Sequence, residues 1–279
     1  MIAVVKDDAY GHGAEAVVQV LSDDALLFAV SSVGEGARLR AAGIGKDILV
    51  LTPLLSDEDA LRAGYYDLIA AAASAESLAL AAGLRAHLVL NTGMNRYGFS
   101  PQTIEWACRR ARALGVRVEG VFSHFYDAAD AEARREQTRA FSEGCAVVRR
   151  FFPEALRHLC ATGGILAGGE MFDAVRPGLG LYGYAPPRPY GGGAGYAAAP
   201  RAFSALHTLC AGYGDGFFRA GGLDAVGKLC MDACVREGRL PFGKKVCVLD
   251  DAAGYAAQHG TTAYEVLTAL RNLERQYDG

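Results

Sequence analysis

The feature that most constrains this chain is a regular alternation running through its first two thirds. Apolar, β-prone runs occur at Ile2–Val5, Leu26–Val30, Asp47–Leu51, Asp67–Ala71, Ala86–Leu90, Val116–Phe122, Leu156–Cys160 and Phe172–Leu181. Between most of them lie helical stretches with start and stop signals. Examples are Gly34–Ala42 ending at Gly43, Ser56–Arg62 ending at Gly64, and the longer Pro101–Leu114 and Ala131–Phe152. Near-continuous apolar strands separated by helices imply a parallel sheet covered on both faces. Eight such units predict a closed (β/α)8 barrel of the TIM type over residues 1–184, rather than an open sheet. Only a short helical candidate follows the eighth strand.

Pro186-Pro187-Arg188-Pro189 and Gly191-Gly192-Gly193 break the pattern and place a domain boundary there. Residues 185–279 carry short strand candidates at Ala205–Cys210, Ala225–Met231 and Lys245–Leu249, and a helix candidate at Tyr264–Leu273. They predict a smaller, mainly β domain, so the fold class is α/β with a β appendage. With 279 residues, 51% hydrophobic, the chain has ample core for both. The formal charge of −3 gives no basic stripe for nucleic acid, and no apolar run reaches membrane-spanning length. Met1-Ile2-Ala3-Val4-Val5-Lys6 lacks the layout of a signal peptide. The seven cysteines are odd in number and scattered, and Cys230 and Cys234 have no matching Cys/His pair downstream. Reduced, mostly buried thiols, no metal site and a cytoplasmic location are expected.

The chemistry gathers at the carboxyl ends of the barrel strands, which share one rim. Lys6 ends the first strand, ahead of Tyr10 and of Gly11 and Gly13, which let backbone amides approach an anion before the helix at Ala14. Asn91–Phe99, with Arg96, follows the fifth. Ser123-His124-Phe125 ends the sixth, Ala161-Thr162-Gly163-Gly164 the seventh, and Arg176-Pro177-Gly178-Leu179 lies in the eighth. Taken singly, Lys6 is a solvated lysine, His124 a core histidine, Arg176 an ion pair and Thr162 a helix cap. Together they are what a phosphorylated aromatic aldehyde requires. Gly178-Leu179-Gly180-Leu181-Tyr182-Gly183 also fits G-x-G-x-x-G. It sits in a late strand with no helix after it and no acidic residue for a ribose, so no dinucleotide site is expected.

The same segments resemble the alanine racemase family, pyridoxal-phosphate enzymes of fold type III, and in the same order. Lys6–Gly13 is similar to the family's K-A-N-A-Y-G-H-G, with Asp7 and Asp8 in place of Ala and Asn. His87–Phe99 resembles H-L-K-V-D-T-G-M-N-R-L-G-F, and Phe172–Tyr184 resembles F-D-x-V-R-P-G-I-x-L-Y-G. Downstream, Ala211–Phe217, Gly227–Asp232 and Thr262–Leu267 resemble I-G-Y-A-D-G-Y, G-R-V-C-M-D and I-S-Y-E-I-L.

The resemblance implies pyridoxal 5′-phosphate as cofactor and interconversion of L- and D-alanine by two bases, supplying D-alanine for peptidoglycan. It implies that Lys6 carries the cofactor and is one base. His124 stacks on the pyridine, Arg176 meets the ring nitrogen, and His158 supports Arg176. Tyr10, Thr162, the Gly178 and Leu179 amides and Tyr264 hold the phosphate. Arg96 assists the substrate carboxylate with Met231 of a partner subunit, while Tyr213 and Asp232 line the entry. The second base is a tyrosine of a homodimer partner; Tyr196 is the nearest candidate and Tyr190 its rival. The chain departs from the family pattern in beginning almost at the cofactor strand, and in shorter stretches at 185–196 and 218–228. Val89 stands where many members carry a carbamylated lysine beside the arginine matching Arg96, and Asn91 is the candidate substitute. Two alternatives stay open: a serine/alanine racemase, and a shortened cofactor-binding chain without turnover.

Overall fold

The computed structural model describes residues 1–184, 206–217, 229–249, 251–263, 266, 269 and 270. The chain divides into two compact units, Met1–Gly193 and Ala194–Gly279. In the first, eight parallel strands follow one another in sequence order: β1 (Ile2–Val4), β2 (Leu27–Val30), β3 (Ile48–Pro53), β4 (Ile69–Ala72), β5 (Arg85–Val89), β6 (Arg117–Phe122), β7 (Leu156–Ala161) and β8 (Ala174–Arg176). The Val4 N–H donates to the Pro177 carbonyl at 3.0 Å, just beyond β8, so the last strand meets the first and the barrel is nearly closed.

The connections are helical: α1 (Lys6–Gly11), α2 (Ala14–Leu21), α3 (Val33–Ala41), α4 (Asp57–Tyr65), α5 (Ala75–Leu80), α6 (Ile104–Ala113), α7 (Ala131–Phe151) and the short α8 (Thr162–Leu166). Several begin where a small polar side chain takes the first free amides. The Ser32 hydroxyl accepts from the Glu35 N–H, Ser56 from Asp59, and Asp130 from Glu132 and Ala133.

Side chains alternate across each strand. One set, including Ala3, Phe28, Val30, Ile48, Val50, Ala86 and Leu88, packs against the helices. The other fills the barrel, with Ile2, Val4, Leu27, Ala29, Leu49 and Ile69 on the β1–β4 side. On the β5–β8 side the inward positions hold His87, Phe122, His158 and Arg176 instead, all buried. Two register shifts fall there. Between β5 and β6, Ala86 pairs with Val118 but His87 with Gly120; between β7 and β8, His158 pairs with Ala174 but Ala161 with Arg176. Such bulges re-aim side chains.

Two sequence expectations are corrected. The eighth strand is three residues, ending at Arg176 rather than Leu181, because Pro177 has no amide hydrogen to continue the ladder. Leu179–Tyr182 forms a 3₁₀ turn instead. In the second unit β9 (Leu206–Leu209) pairs antiparallel with β10 (Cys234–Glu237), and α9 spans Ala252–Gln258. Lys245–Leu249 is not a strand: Val246, Val248 and Leu249 pack on the cluster around Leu209 and Leu229 without pairing. β10 escaped notice because Arg236 and Glu237 interrupt its apolar run. Ala225–Lys228 and part of Tyr264–Leu273 lie outside the described residues. No disulfide joins the seven cysteines, and Cys210 and Cys247 are exposed. Among the described residues no His/Cys/Asp/Glu group could hold a metal, and no helix is long and apolar enough to cross a membrane.

The amino ends of β3–β6 are tied by one cation. Arg85 donates to both Asp47 oxygens at 2.6 and 2.8 Å and to Glu119 at 2.8 Å. These bonds hold the Asp47 carboxyl below its ordinary pKa. Removing Arg85 leaves three carboxylates, those of Asp47, Asp67 and Glu119, without their shared cation. Arg85→Met should therefore lower the unfolding free energy by about 1–3 kcal/mol in urea titrations; an unchanged midpoint would refute a structural role for the cluster.

Candidate active site

The chain leaves β1 by an unusual route. Asp7, Asp8, Ala9 and Tyr10 have φ between 52 and 55°, four successive non-glycine residues in the left-handed region. Each costs roughly 1–2 kcal/mol in isolation, so the surroundings must hold the turn. They do so through named bonds. The Ala9 N–H donates to Val5 O at 3.0 Å and the Gly13 N–H to Asp8 O at 3.0 Å. The Asp8 carboxylate accepts from the Ala14 N–H at 2.8 Å, starting α2. The buried Glu35 carboxylate accepts from the Asp7 N–H at 2.7 Å, from the Ser31 N–H at 2.7 Å and from the Ser31 hydroxyl at 2.8 Å. Lys6 stands at the head of this turn, 4.0 Å from an Asp7 carboxylate oxygen.

Across the barrel Arg176 is 3% exposed, and among the described residues its direct hydrogen-bond partners include no carboxylate. Nη1 donates to the His158 carbonyl and to His158 Nδ1, both at 2.7 Å; Nη2 donates to the carbonyls of Ser123 and Leu159, at 2.5 and 3.0 Å. Those four bonds occupy the terminal nitrogens and leave Nε–H as the fifth donor. Phe122 lies flat on His158 and under the guanidinium. Burial pushes Arg176 down to about 10, which keeps it cationic at neutral pH.

Between these two sides sits His124, with Nδ1 3.5 Å from Arg176 Nη2. Burial holds its pKa well below the ordinary value, and Arg96, Arg176 and Lys6 lower it further, so an imidazole rather than an imidazolium stands amid three cations. Arg96 lies over the Tyr97 ring and shares with His124 a crevice that Val89, Asn91 and Met94 also line. The structure thus brings Lys6, Arg96, His124 and Arg176 together. It also gathers Tyr10, Thr162, Gly178 and Leu179. The Thr162 hydroxyl oxygen accepts from the Gly178 N–H at 3.1 Å and the Gly180 N–H at 3.0 Å. Gly178, expected to address a phosphate directly, is therefore bonded to Thr162. A side chain at 178 would run into the Tyr10 hydroxyl. In the second unit Tyr213 and Met231 are neighbours: the Tyr213 N–H donates to Cys230 O and the Gly214 N–H to Met231 O, with Asp232 next in sequence and half-buried. Tyr190, Tyr196 and Tyr264 lie outside the described residues.

A family model described as the N-terminal domain of alanine racemase matches residues 1–186. The alanine racemases of Nitratidesulfovibrio vulgaris and Deinococcus deserti are 31% and 30% identical, over 99% and 97% of this chain and 90% and 89% of their own lengths. This chain belongs to the alanine racemase family. Among solved structures, alanine racemase from Corynebacterium glutamicum superposes with a TM-score of 0.60 at 25% identity, covering 96% of this chain and 89% of that one. The Bacillus anthracis enzyme gives 0.62 at 24% identity, covering 97% and 86%.

The family implies pyridoxal 5′-phosphate, and the donor set present fits that group. A guanidinium can only donate, which suits a ring nitrogen that must accept. Thr162 Oγ1 spends both lone pairs on amides, so its remaining O–H is a donor, suited to a phosphate oxygen. Lys6 supplies an amine for the aldehyde. Two buried residues given no role by the sequence, Glu35 and His87, bond to the groups around the site. The Glu35 carboxylate reaches Asp7, across the sequence rather than along its own helix. His87 read only as part of a motif. A polar residue at an inward position of an apolar strand was the available signal.

Three buried histidines are held neutral. Burial takes His87 down to about 3, and His124 and His158 well below their ordinary value, in each case aided by Arg176. The unfolded chain binds these protons near pH 6.5 and the folded chain does not. Stability is therefore full above that pH and lost as pH falls, by about 1.4 kcal/mol per pH unit for each histidine. Urea unfolding between pH 7 and 5 should show this acid-side decline; a flat profile would mean the imidazoles are charged in the fold.

Proposed function

We propose that this chain interconverts L- and D-alanine with pyridoxal 5′-phosphate, acting as a homodimer. The observation that supports this most is the meeting of Lys6, a neutral His124 and a carboxylate-free Arg176 at the carboxyl ends of β1, β6 and β8. When bound, the cofactor supplies an electron-withdrawing pyridine joined to the substrate nitrogen, which acidifies the α-hydrogen.

The chain's own residues do the rest. Lys6 holds the cofactor and, once its amine is released, takes or returns the α-proton on one face of the substrate. Arg176 donates to the ring nitrogen but cannot surrender its proton, since guanidinium stays charged. Arg176 would thereby keep a bound ring nitrogen unprotonated, which would limit electron withdrawal and suppress protonation away from the α-carbon. His124, neutral, offers an aromatic face to the ring without adding charge. Tyr10, Thr162, the amide of Leu179 and Tyr264 hold the phosphate, with Gly178 acting through Thr162. Arg96 faces the substrate carboxylate. The opposite face needs a second acid–base group, which we assign to Tyr196 of the partner subunit, along with Met231, Tyr213 and Asp232 around the entry. A phenol with an ordinary pKa of about 10 needs nearby cations to act near neutrality.

Loss of the α-hydrogen from each enantiomer into heavy water, followed by proton NMR, tests the reading. Exchange on both L- and D-alanine, with visible absorbance from the lysine-bound cofactor, is expected. Absorbance without exchange would show a cofactor-holding chain without turnover, and faster exchange on serine would move the substrate. Lys6→Ala should abolish the absorbance. Tyr196→Phe should slow one enantiomer by on the order of a hundredfold or more and spare the other. Exchange left unchanged on both enantiomers by that substitution would remove Tyr196 from its role.

A further inference from the structure

His87 has no part in the assignments above, yet it ends a chain of buried nitrogens that begins at Arg176. Arg176 Nη1 lies 2.7 Å from His158 Nδ1, and His158 Nε2 lies 2.8 Å from His87 Nδ1. A guanidinium has donors only, so His158 Nδ1 must present its lone pair. Neutral His158 then carries its hydrogen on Nε2 and gives it to His87 Nδ1, which must also be a bare nitrogen. The proton of His87 is thereby on Nε2. Every proton position follows from the arginine, and an imidazolium at either site would set N–H against N–H.

The fold accommodates this chain deliberately. The β5–β6 register shift begins at His87 and sets it opposite Gly120. A Cβ on Gly120 would stand 2.7 Å from three atoms of the His87 ring, so glycine there makes the space the imidazole occupies. A further register shift, between β7 and β8, begins at His158. His87 and His158 are 1% and 0% exposed.

We propose that His87 is a positioning residue for the reaction: its Nδ1 lone pair keeps the His158 hydrogen on Nε2, so that His158 Nδ1 stays an acceptor and holds the Arg176 guanidinium with Nε–H as its uncommitted donor. This rests on the racemase reading. Without an acceptor at 87, His158 Nε2–H is buried and unsatisfied. The His158 hydrogen is then no longer fixed on Nε2, and on Nδ1 it would face an Arg176 N–H.

The test combines a tautomer measurement with two substitutions. In holoenzyme carrying ¹⁵N-histidine, long-range proton–nitrogen correlations should show a bare Nδ1 and a protonated Nε2 for both His87 and His158. His87→Asn keeps an acceptor oxygen near the Nδ1 position; His87→Leu does not. The asparagine variant should keep the His158 pattern, the cofactor absorbance and kcat within about threefold. The leucine variant should lose the His158 pattern and drop kcat on the order of tenfold at nearly constant KM. A hydrogen on His158 Nδ1 in the unsubstituted protein overturns the proposal, whether or not the leucine variant folds. So does equal behaviour of the two variants. If turnover is absent while the tautomer pattern stands, the racemase reading fails and the proton order does not.

Discussion

A buried guanidinium bonded to lone pairs rather than to carboxylates is the constraint around which the barrel is arranged. A cation taken out of water needs acceptors, and a carboxylate would meet that need most simply. Here two carbonyls, a third from His158 and an imidazole do so, leaving Arg176 positively charged in an environment without a matching anion among its bonded partners. That arrangement dictates much else. It requires neutral histidines at 158 and 87, an aromatic plate at Phe122, and strand irregularities on the β5–β8 side. The β1–β4 side carries aliphatic side chains at its inward positions, with no buried histidine or arginine among them. One half of the barrel interior is packing and the other is polar scaffolding.

The second constraint is the left-handed turn after β1. A run of non-glycine residues in that conformation persists only when other groups over-determine it. Glu35, Asp8 and the Val5 carbonyl do that here, and Lys6 is placed at the head of the turn as a consequence. The two constraints meet at His124, whose imidazole feels Lys6, Arg96 and Arg176 together. A negatively charged, aromatic, electron-accepting ligand suits such a place: cations for its anionic groups, a donor for its ring nitrogen, a neutral ring to lie against.

Much of this was readable in the residues. The eight-fold alternation specified a parallel barrel because each strand was apolar on both faces and each gap was long enough for a helix. The rim positions of Lys6, His124, Thr162 and Arg176 followed from strand ends. What the sequence concealed was whatever depends on through-space valence. Glu35 sits inside an ordinary helical stretch, and its carboxylate serves Asp7 from twenty-eight residues away. Gly178 looked like an anion ligand and is instead the donor to Thr162. Asp7–Tyr10 carried no glycine to announce positive φ, since tertiary bonds rather than propensity hold them. β10 was hidden by its charged half, and the end of β8 by reading Pro177 as part of a strand.

The central claim is that Lys6, among all lysines of the chain, is the amine held where this aldehyde is captured. Borohydride reduction of the protein with stoichiometric pyridoxal 5′-phosphate, followed by peptide mass mapping, tests it most directly. The phosphopyridoxyl mass is expected on the peptide containing Lys6 and not on those containing Lys46, Lys228, Lys244 or Lys245. Label spread over the surface lysines, with Lys6 unmodified, would contradict it.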